Sequence, residues 1–506
     1  MILSRTNLEH INANVEKPDA SCFILPEKVL QFGTGVLLRG LPNYYINKAN
    51  KQHIFNGRIV VIKSTKAGGI DAFEAQDNLY THYIRGVENG VKKESAVINA
   101  SISRVLTAST HWEDILVLAT SAEMKIVISN TTEIGLTYLP HDSIVANPPV
   151  SFPGKLLSFL YSRYQAFNGS IESGMVIIPT ELIPDNGNIL KDICVKLAYD
   201  NSLDEAFITW LTTANDFCNS LVDRIVPGAL NAKEQEDAKA ANGYEDDLAI
   251  LSEVYGLWAI ETSRPQTKEV LSFYAADSGV VICDNINKFR ELKLRLLNAT
   301  HTLTCGLAII SDFKAVKEAM SNTFFEGFIT TLMDVEITGA IISNEITEEE
   351  AINFAAQLRD RFRNPFIEHL WLSITVQYSS KMLMRVVPVL LAYYKRYKMV
   401  PKHIAIGFGA YILFMHSNKN EEGTYTGYQH GKSYLINDDK ASLLYEHWQH
   451  GGMNKVVQET LADTRLWNTD LTQLPGFEKA VYETVKRFSE EQLGNKIEQS
   501  TSLYSI

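Results

Sequence analysis

The middle of the chain contains a lysine, an asparagine and a histidine whose side chains suit acid–base chemistry. They are Lys293, Asn298 and His301, in the segment KLRLLNATH. A lysine ammonium and an asparagine amide can stabilise and protonate an oxygen that gains negative charge in a reaction, without a metal. On a regular α-helix Asn298 and His301 lie near one another, whereas Lys293 lies on another face. The trio converges only across a ligand or on an irregular helix, and an ordinary amphipathic helix is the alternative.

A glycine pair follows a predicted strand near the N-terminus. The segment VLQFGTGVLLRG predicts a buried strand, a loop over Gly33, Thr34 and Gly35, and a helix that continues through VLLRGLPNYYINKAN. Glycines at such a turn let the backbone approach a pyrophosphate, which the N-terminus of the helix stabilises. The pattern favours a dinucleotide, although Leu38 stands where GxGxxG has its third glycine. A tight turn without a ligand is the alternative.

The end of the second predicted strand bears on the choice of cofactor. In NAD-binding folds an acidic residue normally stands there and binds the adenosine ribose. This chain has Ile62, Lys63 and Ser64 at that position. Lys63 has the charge to bind the 2′-phosphate of NADP, and a solvated strand end is the alternative. These residues alone leave NAD and NADP open.

Composition disfavours several classes of partner. The 506 residues have a formal net charge of −12, which argues against nucleic acid because phosphate backbones attract basic surfaces. The apolar run at 404–415 is too short to span a membrane and predicts a buried helix. The N-terminal residues lack the apolar stretch of a signal peptide, so we expect a cytoplasmic protein.

We expect neither a metal site nor a disulfide framework. The five cysteines are widely spaced, and the sequence has no CxxC and no HExxH motif. The nearest candidate for a metal site is the pair His447 and His450, one helical turn apart. A solvated helix face is the preferred interpretation of that pair.

Alternating strand and helix patterns in the first half must position the glycine pair. The runs that predict strands are VLQF (29–32), RIVVI (58–62), DILVLA (114–119), KIVIS (125–129) and GMVIIP (174–179). Continuous apolar runs are typical of parallel strands buried on both faces. The predicted fold class is α/β, with an N-terminal Rossmann-like parallel sheet and a C-terminal, mostly α-helical substrate domain.

The run SGVVICD (278–284) predicts a last strand, after which apolar residues recur at helical spacing. We therefore assign residues 1–285 to the dinucleotide-binding domain and 286–506 to the helical domain, with the active site in the cleft between them. The polar stretch at 231–247 has no apolar periodicity and predicts an exposed excursion.

Further motifs make the sequence resemble the long-chain mannitol dehydrogenase family over most of its length. In family order they are FGTGVLLRG, LYTHYIRG (79–86), ISNTTEIG (128–135), SFPGKL (151–156), LVDRIVPG (221–228) and the trio around Lys293. The resemblance is closest to the tagaturonate-reducing branch, because of NTTEIG, PTELIPDNG (179–187) and RFRNPFIEH (361–369).

The resemblance implies an NAD-dependent dehydrogenase of hexuronate catabolism with a mannitol dehydrogenase-type C-terminal domain. It gives Lys293 the role of general acid/base, Asn298 that of polarising the reacting oxygen, and His301 that of a substrate contact. It also implies a set of cofactor contacts: Phe32, Gly33, Thr34, Gly35, Arg39, Asn130, Thr132 and Glu133. Mannitol-type members have a second asparagine where this chain has Leu182, which makes a polyol substrate less expected; the neighbours Glu181 and Asn186 receive no role.

A sugar-acid substrate brings a carboxylate that must be paired with cations or strong donors. The candidates are Arg361, Arg363, His369, Lys381 and Arg385. Lys381 and Arg385 rank first, because they lie one helical turn apart among apolar residues. Fructuronate reduction, mannitol-type polyol oxidation and nucleotide binding without catalysis remain alternatives, and the oligomeric state stays open.

Overall fold

The computed structural model describes residues 1–12, 14–64, 69–131 and 135–493. The chain divides into two compact units, Met1–Ile286 and Asn287–Ile506.

The described part of the N-terminal unit is built around a parallel sheet. The strands in the described part of the unit are β1 (Glu27–Phe32), β2 (Arg58–Lys63), β3 (Tyr80–Glu88), β4 (Val91–Asn99), β5 (Ile102–Thr107), β6 (Ile126–Ser129), β7 (Val176–Pro179), β8 (Asp216–Phe217), β9 (Ser220–Asp223), β10 (Gly228–Ala229), β11 (Ile250–Ser252), β12 (Leu257–Glu261) and β13 (Val280–Cys283). Among the described residues, six strands pair side by side and in parallel, in the order β5-β2-β1-β6-β7-β8. In this register Phe32 lies beside Ile62 on one side and Ser129 on the other, so the loops after β1, β2 and β6 leave the same edge.

Helices cover both faces of this sheet. The α-helices in the described part of the unit are α1 (Val36–Gly40), α2 (Pro42–Lys51), α3 (Asp71–Ala75), α4 (Trp112–Leu118), α5 (Phe152–Ala166), α6 (Asn186–Asp200), α7 (Glu205–Thr213), α8 (Ala232–Asn242) and α9 (Pro265–Val270). Successive side chains of a strand point to opposite faces. Leu30 and Phe32 accordingly enter one apolar cluster and Val29 enters another. The predicted fold class, a Rossmann-like α/β domain followed by a helical region, is confirmed.

Several local predictions for this unit were wrong. The run at 114–119 lies largely in α4, because Trp112, Ile115 and Leu118 form a buried helical face and acidic residues occupy its first turn. The expected single helix after the glycine pair is split at Leu41, since Pro42 lacks an N–H and begins α2. Strands β3 to β5 and β8 to β12 were missed. Strands β8 to β12 have only two to five residues each, too few for a clear apolar run.

The polar stretch at 231–247 is largely exposed, as predicted, but it is not irregular. Residues from Ala232 to Asn242 form α8. A capping box between Asn231 and Glu234 begins the helix, and Gly243, at φ 81°, ends it. Caps rather than apolar periodicity therefore define this helix.

The C-terminal unit is helical in its described residues. Its α-helices are α10 (Asn287–Leu292), α11 (Thr300–Ile310), α12 (Val316–Ala319), α13 (Thr323–Thr331), α14 (Thr338–Ile341), α15 (Glu348–Phe362), α16 (Trp371–Ile374), α17 (Tyr378–Lys381), α18 (Val387–Tyr397), α19 (Lys402–Phe414), α20 (Ala441–Gln449), α21 (Met453–Ala462), α22 (Thr464–Trp467) and α23 (Phe477–Leu493). A small sheet adds β14 (Asn418–Lys419), β15 (Tyr425–Gln429) and β16 (Lys432–Leu435). The apolar run at 404–415 lies in α19, which is buried as predicted. Within the described ranges, no helix has both the length and the apolar character to cross a membrane.

Irregular turns interrupt these helices. In the described part of this unit, π-helical segments occupy Lys293–Ala299, Leu332–Ile337 and Met382–Val386. Each is continuous with α-helix on both sides. The first and third segments pack against each other. They carry Lys293, Asn298 and Arg385, three of the residues that the sequence assigns to acid–base chemistry and substrate binding.

Candidate active site

The π-helical segment Lys293–Ala299 resolves the geometry of the predicted trio. A π-helical hydrogen bond joins residues five positions apart, so such residues lie one above the other. Lys293 and Asn298 have this spacing, which would place them on different faces of a regular α-helix. The irregular helix that the spacing required is present, and it brings the lysine and the asparagine to one face. Asn298 and His301, three residues apart, share that side of the helix.

His301 lies in a buried aromatic environment. Its ring stacks on Phe362 with centroids 4.2 Å apart and meets the edges of His369 and Trp371 at 5.1 and 5.8 Å. Its Nδ1 is buried without a hydrogen-bond partner among the described residues. Burial lowers the pKa of His301 well below its usual value, and nearby positive charge lowers it further. The ring is therefore a neutral group with one nitrogen available to a hydroxyl or a donor of a ligand.

Cationic side chains surround His301. Besides His369, the charges of Arg361 and Arg385 depress the pKa of His301. Arg385 donates from Nη1 to Thr302 Oγ1 at 3.2 Å, next to His301 in the chain. Lys381 donates to the Ile374 carbonyl at 2.9 Å, and burial together with Arg385 lowers the pKa of its ammonium. The structure thus brings together the cations that the sequence ranked first.

One predicted cation has other partners. Arg363 forms an ion pair through Nη2 with Glu326, and its Nη1 lies 3.2 Å from Asp360 Oδ1. Two carboxylates therefore already compensate its charge. Arg361, two residues earlier, is buried beside His301 instead.

In the N-terminal unit, the glycine loop lies at the carboxyl edge of the sheet. Gly33 has φ 117°, a conformation that side chains disfavour, and its N–H donates to the Ile62 carbonyl at 2.9 Å. A Cβ here would lie 3.0 Å from Leu38 Cδ1 and 3.1 Å from the Asn130 carbonyl oxygen. A Cβ on Gly35, by contrast, would meet nothing within 4 Å. Backbone at Gly35 is therefore open to a large ligand, which fits the pyrophosphate of a dinucleotide.

Other predicted cofactor residues point into the protein. The Phe32 side chain is fully buried and packs on Phe152, which leaves only its backbone for a ligand. The Arg39 guanidinium is also buried, donates to the Leu248 carbonyl and lies over the Tyr80 ring at 5.4 Å. Lys63 is 6% exposed, so the alternative of a solvated strand end was wrong. Thr34 is half-buried beside the two glycines.

A buried carboxylate organises the loop that follows β6. Glu181 is 3% exposed and accepts hydrogen bonds from the Thr131 N–H at 2.8 Å, the Thr131 hydroxyl at 2.9 Å and the Ser129 hydroxyl at 3.2 Å. Asn130 donates to the carbonyl and the hydroxyl of Thr180. Burial raises the pKa of Glu181. Sequence reasoning gave Glu181 no role, although a glutamate directly after a buried strand was the available signal.

Other residues named from the sequence lie outside the described residues or have a different environment. Thr132 and Glu133 lie outside the described residues. Leu182, which stands where mannitol-type members have an asparagine, is 66% exposed. Asn186 is buried and donates to the carbonyls of Glu181 and Ser220, so it has a structural environment.

The histidine pair does not form a metal centre. His447 is buried, with Nδ1 3.1 Å from Thr460 Oγ1 and Nε2 3.2 Å from Asp463 Oδ2, so the predicted solvated face was wrong for this residue. His450 is exposed and pairs with Glu459. Over the described ranges, no group of three or more His, Cys, Asp or Glu side chains is placed to hold a metal ion.

Both halves of the chain match domains of the same family of known proteins. Residues 27–271 match the mannitol dehydrogenase Rossmann domain, and residues 285–489 match the mannitol dehydrogenase C-terminal domain. The altronate oxidoreductase of Bacillus subtilis (strain 168) is 35% identical over 454 residues, 89% of this chain and 90% of the relative. That of Shigella flexneri is 34% identical over 468 residues, 90% and 93% of the two chains.

Solved structures share the fold. Mannitol 2-dehydrogenase of Pseudomonas fluorescens, in a ternary complex with NAD and D-mannitol, superposes with a TM-score of 0.65 at 20% identity over 97% of each chain. A D-sorbitol dehydrogenase in substrate-free form gives a TM-score of 0.76 at 20% identity, covering 97% of this chain and 98% of the other. Given the identity to its relatives over about nine-tenths of its length, the chain belongs to the mannitol dehydrogenase family, as its motifs predict.

Proposed function

We propose that the chain is an NAD-dependent oxidoreductase that interconverts D-tagaturonate and D-altronate. The observation that carries this proposal is a cationic cluster at the end of the segment that aligns Lys293 with Asn298. Arg361 and Arg385 lie beside His301, and Lys381 lies beside Arg385. A neutral polyol requires no such concentration of positive charge, whereas a buried carboxylate does. The altronate oxidoreductases at 34–35% identity support the same substrate.

In the proposed reaction, each residue of the site has a separate role. NADH supplies a hydride to the ketone carbon when bound. Asn298 donates a hydrogen bond to the ketone oxygen, and Lys293 transfers a proton to that oxygen as negative charge develops. In the oxidising direction Lys293 accepts the alcohol proton. His301 orients a substrate hydroxyl, and the carboxylate lies against Lys381 and Arg385, with His369 at the edge of the site.

The N-terminal unit supplies the cofactor contacts in this proposal. Backbone at Gly33, Thr34 and Gly35 approaches the pyrophosphate, and the loop at Asn130 lies at the same sheet edge. Glu181 holds that loop in position through Thr131. We propose NAD rather than NADP, because the buried Lys63 lacks the exposure expected of a surface phosphate ligand. A cytoplasmic location accompanies the proposal; all five cysteines are thiols, none of them joined in a disulfide.

A substrate and cofactor panel tests the proposal. The purified chain is assayed for reduction of D-tagaturonate, D-fructuronate and D-fructose, each with NADH and with NADPH. We expect the highest kcat/KM with tagaturonate and NADH and little turnover of the neutral ketose. Faster reduction of fructuronate would reassign the substrate, and faster reduction of fructose would favour a polyol dehydrogenase. Cofactor binding without turnover of any of the three would support a non-catalytic nucleotide-binding protein.

A further inference from the structure

Arg295 lies inside the segment that carries Lys293 and Asn298, but its side chain points to a neighbouring element. The side chain is only 14% exposed. Its Nε donates to Glu291 Oε2 at 2.9 Å, and its Nη1 donates to the Met384 carbonyl at 2.7 Å and the Arg385 carbonyl at 3.2 Å. One guanidinium thus joins the acid–base segment to the segment that carries a substrate cation.

The Met384 carbonyl accepts this bond for a reason that is visible in the sequence. In an α-helix it would accept from the N–H of residue 388, which here is Pro388 and has no N–H. A proline ring also crowds the carbonyl four residues before it. The π-helical segment Met382–Val386 ends two residues before this proline. Pro388 therefore leaves an acceptor that Arg295 fills, at the point where the helix is irregular.

We propose that Arg295 is a positioning residue, which fixes Lys293 and Asn298 relative to Arg385. A π-helical turn has poorer support from its own backbone than an α-helical one, so its exact alignment depends on contacts from outside. The inference rests on the proposed function, because it assumes that Lys293 and Arg385 act on one substrate molecule. Arg295 itself touches no reacting atom in this account.

The test compares Arg295→Ala and Arg295→Lys with a matched control, Arg396→Ala. Arg396 also donates to a backbone carbonyl of the same unit, that of Ile342, but at an exposed site. For Arg295→Ala with tagaturonate and NADH we expect kcat/KM roughly 10- to 100-fold lower, since misplacement by about 1 Å has effects of this order. The KM for tagaturonate rises, kcat falls, and the KM for NADH stays within about twofold. Added guanidinium ion should partly restore kcat.

Arg295→Lys keeps the charge but cannot donate to Glu291 and the carbonyls together, so we expect an intermediate loss. Thermal unfolding of every variant accompanies the kinetics. If Arg295→Ala yields less active protein but leaves kcat per active site and both KM values unchanged, the role of Arg295 is merely structural. That result would overturn the proposal. If Arg295→Ala does not fold, Arg295→Lys decides by the same criterion. Failure of the proposed function is distinct, because the wild-type enzyme would then not reduce tagaturonate.

Discussion

The edge of the parallel sheet and the acid–base cluster of the helical unit achieve their geometry in opposite ways. At the sheet edge, regular strands end in register, with Phe32 beside Ile62 and Ser129, and Gly33 follows with a positive φ. In the helical unit, Lys293 and Asn298 meet because the helix departs from α geometry.

This difference indicates which kinds of change each region tolerates. In the proposed function the cofactor meets backbone at the sheet edge, so the conformation of the loop should matter more there than most side-chain identities. The proposed substrate meets side-chain ammonium, amide and imidazole groups in the helical unit, whose chemistry cannot be replaced. Substitutions in the two regions should therefore differ in their effects on turnover, on the KM values for tagaturonate and NADH, and on stability.

The largest effect is expected for Lys293→Ala. Removal of the general acid/base should lower turnover of tagaturonate by roughly 10²-fold or more. NADH binding, measured by fluorescence titration, should survive, because the glycine loop belongs to the other unit. A small primary amine added to the variant should partly restore turnover. Lys455→Ala, at an exposed lysine of the same unit, is the control. Wild-type turnover in Lys293→Ala would remove the catalytic assignment.

A smaller and more selective effect is expected for Lys381→Met and Arg385→Met. Loss of a hydrogen bond to a charged group is worth about 1.5–3 kcal/mol, or roughly 10- to 100-fold in affinity. The KM for tagaturonate should rise by that factor while the KM for NADH and the turnover of any neutral ketose hardly change. Arg465→Met, at an exposed arginine, serves as control. Equal losses for charged and neutral substrates would mean damage to the helix and would move the carboxylate site to Arg361 or His369.

At the sheet edge, Gly33→Ala and Gly35→Ala should differ. Alanine at the φ of Gly33 is strained by about 1–3 kcal/mol, so both the melting temperature and NADH affinity should fall, the affinity by about 10-fold. Gly35 has φ −60° and open space around its Cβ, so alanine there should leave the melting temperature unchanged and weaken only NADH binding. If Gly35→Ala binds NADH normally, the pyrophosphate does not approach this loop.

The smallest effect concerns stability at low pH and should appear in both units. Burial holds the pKa of His82 in the N-terminal unit and of His301 in the C-terminal unit well below the usual value. Below about pH 6.5 the unfolded chain binds protons that the folded chain does not, so the free energy of unfolding should decrease as the pH falls. His82→Asn and His301→Asn should each weaken this dependence of the free energy of unfolding on pH, by at most about 1.4 kcal/mol per pH unit. Urea unfolding at pH 7.5 and 5.5 measures it, and stability that rises on acidification would contradict the assignment.

The two regions also differed in how far the sequence could predict them. Apolar runs located β1, β2, β6 and β7, because two-sided burial leaves a direct signature in composition. Residue types together with the family resemblance predicted the trio, and the spacing of Lys381 and Arg385 predicted the first-ranked cations; these assignments stay predictions. The alignment of Lys293 with Asn298 could not be derived, since α-helical periodicity does not reveal a π-helical turn.

Burial of charged side chains was the other limit. Arg39 follows the glycine loop and was assigned to the cofactor, yet its guanidinium lies against the Leu248 carbonyl, a contact between residues far apart in the chain. A solvated strand end was one of two interpretations of Lys63, yet the residue is buried. Such positions depend on tertiary packing, which local sequence does not encode.

The central claim is that this chain reduces the ketone of a sugar acid with hydride from NADH. Incubation of the wild-type chain with D-tagaturonate and NADH deuterated at both C4 positions tests it directly, because the product carries the label. We expect altronate with one deuterium, on the carbon of the former ketone, identified by mass spectrometry and NMR. Unlabelled product, or label appearing only when a neutral ketose replaces tagaturonate, would contradict the account.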